Sequence, residues 1–100
     1  MIKHIVMWRM KHNEAEHEQE QQLFSMKERL ESLPQAIPQI RHFEIGLNVN
    51  PSERAMDIVL YSEFDSREDL SSYVEHPAHQ AAASYIRTIT SEVRIVDYEA

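Results

Sequence analysis

The chain ends one helix and begins another within the segment Tyr73-Val-Glu-His-Pro-Ala-His79. Pro77 has a fixed φ and no backbone N–H, so it suits the first position of a helix. Its ring also drives His76 towards an extended conformation, which ends the helix expected upstream. The sequence therefore predicts two helices that meet at a kink, one over about 66–75 and one over about 77–89.

Apolar runs on both sides of this helical pair have the short spacing of β-strands. The predicted strands cover residues 2–11, about 40–49, about 56–64 and 92–98. A longer helix over residues 14–33 separates the first two strands, with Asn13 as its N-cap, and Pro34 begins the exit loop. The apolar side chains of this helix form one buried stripe, made of Leu23, Met26, Leu30 and Leu33.

The predicted order β-α-β-β-α-β is that of a ferredoxin-like α+β fold, a four-stranded antiparallel sheet with helices on one face. The first, third and fourth strands are apolar in both phases, which indicates that both faces of the sheet are buried. The chain's own helices cover only one face. A homodimer packed sheet against sheet covers the other, whereas a monomer would expose large side chains that we assign to this face, Trp8 and Met10.

Composition narrows the class of protein. One hundred residues form a single domain, residues 1–100, with 42% hydrophobic and 27% charged residues. The formal charge of −7 disfavours binding to nucleic acid or to anionic membranes. No segment has the ~20 apolar residues of a membrane span, and the first residues have the alternation of a strand rather than a signal peptide. The lack of Cys excludes disulfides and thiolate chemistry, and we expect a cytoplasmic protein.

Three segments of the chain resemble the Dabb domain family, the stress-responsive A/B-barrel proteins. His4-Ile-Val-Met-Trp-Arg-Met10 is similar to the family's first strand, with its early His. The helical pair contains the family's Tyr-x-x-His-Pro-x-His motif, and Arg94-Ile-Val-Asp-Tyr98 is similar to its closing strand. The resemblance spans the whole chain and implies a dimeric α/β barrel, in which the sheets of two ferredoxin-like subunits face each other.

The resemblance also implies an activity. One enzyme type of the family, olivetolic acid cyclase, closes a linear polyketide by an intramolecular aldol condensation without a cofactor. By motif position, the resemblance implies Tyr73 and His79 as catalytic residues at a cavity between sheet and helices, and His4 as a pocket residue. The run Ala81-Ala82-Ala83-Ser84 differs from the bulkier, glycine-containing stretch expected in that enzyme, so its substrate is not carried over.

The residue types suit such chemistry. His79 falls in the first turn of the second helix, where the positive end of the helix dipole favours a neutral imidazole that serves as a general base. Tyr73 is placed to donate a hydrogen bond to an enolate or product oxygen. We expect His4 and Trp8, which share one strand phase, to contact a small apolar ligand that contains a carbonyl group.

Each of these residues also has a purely structural interpretation. Tyr73 and His4 are then core residues with satisfied polar atoms, and His76 caps a helix. The sequence predicts no metal centre, yet it leaves open an ion near Glu75, His76 and His79. For the whole protein, the alternatives are a non-catalytic stress-associated binding or structural dimer, and a monooxygenase on the same barrel, cofactor-free or haem-linked.

Overall fold

A computed structural model describes residues 1–12 and 15–100 of the chain. Within these ranges the backbone forms one antiparallel sheet of four strands in the order β2-β3-β1-β4, with helices on one face. This arrangement confirms the predicted ferredoxin-like α+β fold. The elements are β1 (Ile2–Met10), α1 (Glu16–Glu31), α2 (Leu33–Ala36), β2 (His42–Leu47), β3 (Ile58–Phe64), α3 (Arg67–Glu75), α4 (Pro77–Ile89) and β4 (Thr90–Glu99).

The first helix differs from its predicted limits. The predicted N-cap Asn13 and the first helical residue of the prediction, Glu14, lie outside the described residues. The structure starts α1 at Glu16 and ends it at Glu31. The prediction that Pro34 begins a loop is wrong, because this residue lies in the first turn of the short helix α2. A proline is tolerated there, since the N–H groups of a first helical turn have no partner within the helix.

The even-numbered side chains of β1 face the helices and form the floor of the core. They are Ile2, His4, Val6, Trp8 and Met10, and each is buried. The assignment of Trp8 and Met10 to an uncovered sheet face is therefore wrong. Both lie under the helical layer with 8% and 9% of their surface exposed. A period of two separates the faces of a strand, but it does not say which face the helices cover.

The face of the sheet without helices is apolar along its centre. Antiparallel pairing places Ile5 between Tyr61 and Val96, and Met7 next to Val59. Directly paired side chains lie on the same side of a sheet, so these residues form one continuous patch. Met7 and Val96 expose 37% and 51% of their surface. We refer to this group as the outer apolar face.

The edge strand β4 extends beyond the helical layer. Val93 and Ile95 pair with Trp8 and Val6, so they lie on the helix side of the sheet. Their exposed fractions are nevertheless 45% and 61%. The helices therefore cover β1 and β3 but leave a gap above β4, and the candidate site lies in this gap. Among the described residues, no helix combines the length and the apolar character that crossing a membrane requires.

Candidate active site

The junction of α3 and α4 has the backbone geometry that the sequence predicts. His76 is extended, with φ −61° and ψ 136°, and Pro77 is the first residue of α4. Because proline cannot donate to the Tyr73 carbonyl, the backbone N–H of His76 donates to that oxygen instead, at 3.2 Å. The His76 ring also caps α4, because its Nδ1 accepts from the N–H of Ala78 at 3.0 Å. The expected capping role of His76 is therefore confirmed.

The same break leaves the carbonyl of Val74 without its ordinary helical donor. In a continuous helix that carbonyl would accept from the N–H of Ala78, which is committed to the His76 ring. The Nδ1 of His79 lies 2.9 Å from this oxygen, and Nε2 of Gln80 lies 3.0 Å from it. The helix break therefore creates the acceptor that holds the His79 ring in place.

This hydrogen bond determines which nitrogen of His79 can act as a base. A carbonyl oxygen only accepts, so Nδ1 carries the proton and Nε2 of the neutral ring has a free electron pair. Burial lowers the pKa of His79, and the positive potential of His4 and Arg87 lowers it further. The Val74 carbonyl opposes this shift without reversing it. The ring is therefore neutral near pH 7 and able to accept a proton at Nε2.

Tyr73 lies directly against this imidazole. The two ring centroids are 4.6 Å apart, and only 1% of the Tyr73 surface is exposed. Burial raises the pKa of Tyr73, and no hydrogen bond contributes to this shift among the described residues. The phenol therefore stays protonated over the physiological range. A protonated hydroxyl next to a neutral imidazole gives the site one hydrogen-bond donor and one proton acceptor.

A second histidine faces Tyr73 from the sheet. The ring centroid of His4 is 5.9 Å from that of Tyr73, and the His4 side chain is 6% exposed. Its Nδ1 donates to Oδ1 of Asp97 on the neighbouring strand at 2.5 Å. Asp97 pairs directly with His4 in the β1–β4 register, so both side chains lie on the helix side of the sheet. The carboxylate therefore fixes the orientation of the His4 ring, with Nδ1 towards Asp97 and Nε2 on the other side of the ring.

These side chains surround a cavity of about 260 Å³ between the sheet and the helices. Tyr73, His79, His4 and Trp8 all line it. The walls are otherwise mainly apolar, and side chains that contribute include Leu33, Leu60, Ala82, Ala83, Ile86 and Ile95. The small side chains of α4 leave room where larger ones would meet the sheet. A mainly apolar cavity with a few convergent polar groups is typical of a small-molecule site.

The structure brings together all four side chains that the sequence selects, and it adds two that sequence reasoning missed. Asp97 could have been found from its strand phase, because it lies on the same side of β4 as Val93 and Ile95, the side that faces the helices. Arg87 also lines the cavity, and nothing in its immediate sequence distinguishes it from other helical arginines. In the described part of the chain, no group of three or more His, Asp or Glu side chains is placed to hold a metal ion.

These features define a ferredoxin-like α+β protein with a ligand-sized cavity between its sheet and a kinked helical pair. Residues 2–100 match the family described as Stress responsive A/B Barrel Domain, or Dabb, and the chain belongs to this family. An uncharacterized protein of Streptomyces coelicolor is 31% identical over 99 residues, which cover 99% of each chain.

Solved structures show the same fold. A protein of Bacteroides fragilis, described as dimeric, ferredoxin-like and of unknown function, is 39% identical with a TM-score of 0.89, over 99% of this chain and 95% of that chain. A hydroxynitrile lyase from Passiflora edulis is 20% identical with a TM-score of 0.73, over 97% of this chain and 90% of that chain. At that identity the second likeness shows the fold alone.

Proposed function

We propose that this Dabb protein is a homodimeric enzyme that performs cofactor-free acid–base chemistry on a small apolar carbonyl compound. His79 is the general base, Tyr73 is the hydrogen-bond donor, and His4 and Trp8 contact the substrate. The observation that carries the proposal is the convergence of a neutral imidazole and a protonated phenol on one apolar cavity. The lack of Cys suits a reducing compartment, and we assign the protein to the cytoplasm.

The proposed step is removal of a proton from a carbon next to a carbonyl group. The C–H bond breaks, its proton moves to Nε2 of His79, and the electron pair moves through the new C=C bond to the carbonyl oxygen. Tyr73 donates a hydrogen bond to the oxygen on which negative charge develops. If the substrate contains a second carbonyl group, the enolate carbon attacks its carbon, the C=O π bond breaks, and the new alkoxide takes the proton from Nε2 of His79, which closes a ring as in a cyclase. Otherwise His79 returns the proton to the same carbon, which exchanges it with solvent, or to a conjugated carbon, which isomerises the substrate.

The homodimer is part of this proposal. The outer apolar face is continuous across three strands, and no helix of the described chain covers it. The Bacteroides fragilis protein, at 39% identity, is described as dimeric. A second subunit packed on this face would complete a barrel and would leave the cavity, on the opposite face of the sheet, open to ligands.

The test of the chemistry is proton exchange measured by NMR. Phenylacetone in D2O contains a CH2 group next to its ketone, and loss of that proton signal reports enolate formation. We expect the wild-type protein to accelerate exchange and His79→Gln or Tyr73→Phe to reduce the acceleration by about 100-fold each. The matched controls are His42→Gln, on the other face of the sheet, and Tyr85→Phe, whose hydroxyl contacts Ser25 and which does not line the cavity.

The alternative is a non-catalytic stress-associated dimer that binds a ligand or serves a structural role. On that hypothesis His79→Gln and Tyr73→Phe change stability alone, and wild-type protein does not exchange phenylacetone faster than buffer. Thermal unfolding of each variant separates the two cases, because a folded variant without exchange supports catalysis. The monooxygenase alternative is tested by haem absorbance of the purified protein.

A further inference from the structure

Arg87 is the sole Lys or Arg side chain that lines the cavity in the described part of the chain. It lies in the last turn of α4 and is exposed to solvent, so it stands at the rim of the cavity rather than within it. The rest of the lining is apolar, aromatic or imidazole apart from Thr90. A cation at this place gives one end of the cavity a preference for negative charge.

The guanidinium of Arg87 has no carboxylate partner among the described residues. Its Nη2 donates to Oγ of Ser84 at 3.3 Å, one turn earlier in the same helix. Arg9, Arg41, Arg67 and Arg94 pair with carboxylates, whereas Arg29 and Arg54, like Arg87, have no such pair among the described residues. Of these three, only Arg87 lines the cavity. An arginine has five N–H donors, so most of those of Arg87 are open to a ligand.

No Asp or Glu side chain of the described residues lines the cavity, and the carboxylate that holds His4 is already engaged. Asp97 accepts from His4 at 2.5 Å, and its register position holds it opposite that histidine. Among the described residues, Arg87 therefore provides a positive charge at the cavity that no carboxylate pairs with, and this charge contributes to the lowered pKa of His79. A bound anion would neutralise this field and strengthen His79 as a base.

We propose that the natural substrate class is a small keto acid, with its carboxylate bound by Arg87 at the rim and its apolar body in the cavity. A planar carboxylate matches the fork of a guanidinium, and one arginine supplies enough donors for it. The rest of the molecule, including its ketone, then lies on the inner side of the carboxylate, in the cavity that Tyr73 and His79 also line. This inference rests on the proposed function, because it names the substrate of that same site.

The test compares phenylpyruvate with its neutral amide, phenylpyruvamide, by isothermal titration of the intact protein. We expect the wild-type protein to bind the carboxylate at least about tenfold more tightly than the amide. Arg87→Met removes this preference, because it lowers the affinity for the carboxylate to about that for the amide. Arg67→Met, an exposed arginine paired with Glu99 away from the cavity, is the matched control and keeps the preference.

Three results would overturn the proposal: no binding of phenylpyruvate at millimolar concentration, equal affinity for both compounds, or a preference that survives in Arg87→Met. NMR titration of the His79 ring gives a second readout. Phenylpyruvate should raise the pKa of that ring relative to the amide complex, and Arg87→Met should abolish the difference. Binding to Arg87 does not require turnover, so a carboxylate preference without proton exchange would refute the proposed chemistry while retaining the substrate class.

Discussion

The contact between His4 and Asp97 allows a quantitative test of how the sheet supports the site. We consider Asp97→Ala, which removes the acceptor of the His4 Nδ1–H and leaves the strand otherwise intact. His4 is 6% exposed and faces Tyr73 and Phe64, whose rings cannot accept its proton as a carboxylate does. The substitution therefore leaves a buried donor without its partner.

The magnitude follows from the exposure of the two side chains. A buried donor that loses its acceptor costs about 1–3 kcal/mol, and bonds to charged groups lie in the upper part of that range. The Asp97 side chain is 42% exposed, so water reaches the place that the carboxylate leaves and offsets part of the cost. We therefore expect a loss of about 1–2 kcal/mol of unfolding free energy. In a domain of about 100 residues, each 1 kcal/mol lowers Tm by about 4–8 °C.

The assay is urea unfolding at one fixed protein concentration, because association makes stability depend on concentration. The matched control is Glu99→Ala on the same strand, where the lost partner is Arg67 and both side chains are exposed. That exposed pair should contribute no more than about 0.5 kcal/mol. A double-mutant cycle with His4→Phe should give a coupling of about 1 kcal/mol. If Asp97→Ala costs no more than Glu99→Ala, or the coupling is near zero, the carboxylate does not hold His4 and our reasoning is wrong.

Three further predictions test the site and the assembly. The pKa of His79 is lower in the folded protein than in the unfolded chain, so the unfolded chain binds more protons as the pH falls through about 6.5. The free energy of unfolding therefore decreases in this range and becomes constant below the pKa of the folded state. His79→Gln should remove this decrease when urea unfolding is measured from about pH 8 to pH 5, and an unchanged pH dependence would show that the decrease does not come from His79. Ala83→Leu should fill part of the cavity and weaken phenylpyruvate binding about tenfold or more, whereas Ala81→Leu on the exposed side of α4 should not. Equal effects of the two substitutions would show that the ligand binds elsewhere. Met7→Lys should dissociate the dimer in light scattering because it places a charge on the outer apolar face, while Val49→Lys in an exposed loop should not; a persistent dimer would mean a different interface.

The sequence predicts those parts of the fold that depend on local chemistry. Pro77 and the extended residue before it set the helix break, and the structure confirms both. Periodicity also locates the strands, although β2 is shorter than predicted and β4 begins earlier, at Thr90. Strand ends depend on hydrogen bonds between strands rather than on side-chain pattern, and these bonds connect residues far apart in the sequence.

The parts that the sequence does not predict depend on tertiary placement. The alternation in β1 shows which residues share a face with Trp8, but it does not show which face of the sheet the helices cover. The pairing of His4 with Asp97 requires the register of two strands separated by most of the chain. Arg87 lines the cavity because α4 packs next to the edge strand β4. The position of this helix relative to the strand cannot be predicted from the residues around Arg87.

One structural feature links the stability of the helical pair to its chemistry. The break at His76 and Pro77 takes the ordinary helical donor from the Val74 carbonyl, and this carbonyl regains a donor from the His79 ring. That bond satisfies the backbone and also fixes the tautomer in which Nε2 is the free base, so the two effects cannot be separated by deleting the ring. Glutamine at position 79 keeps an N–H donor for the carbonyl but is not a base near pH 7. A His79→Gln variant that stays folded and loses proton exchange would therefore assign the loss to the nitrogen rather than to the helix junction.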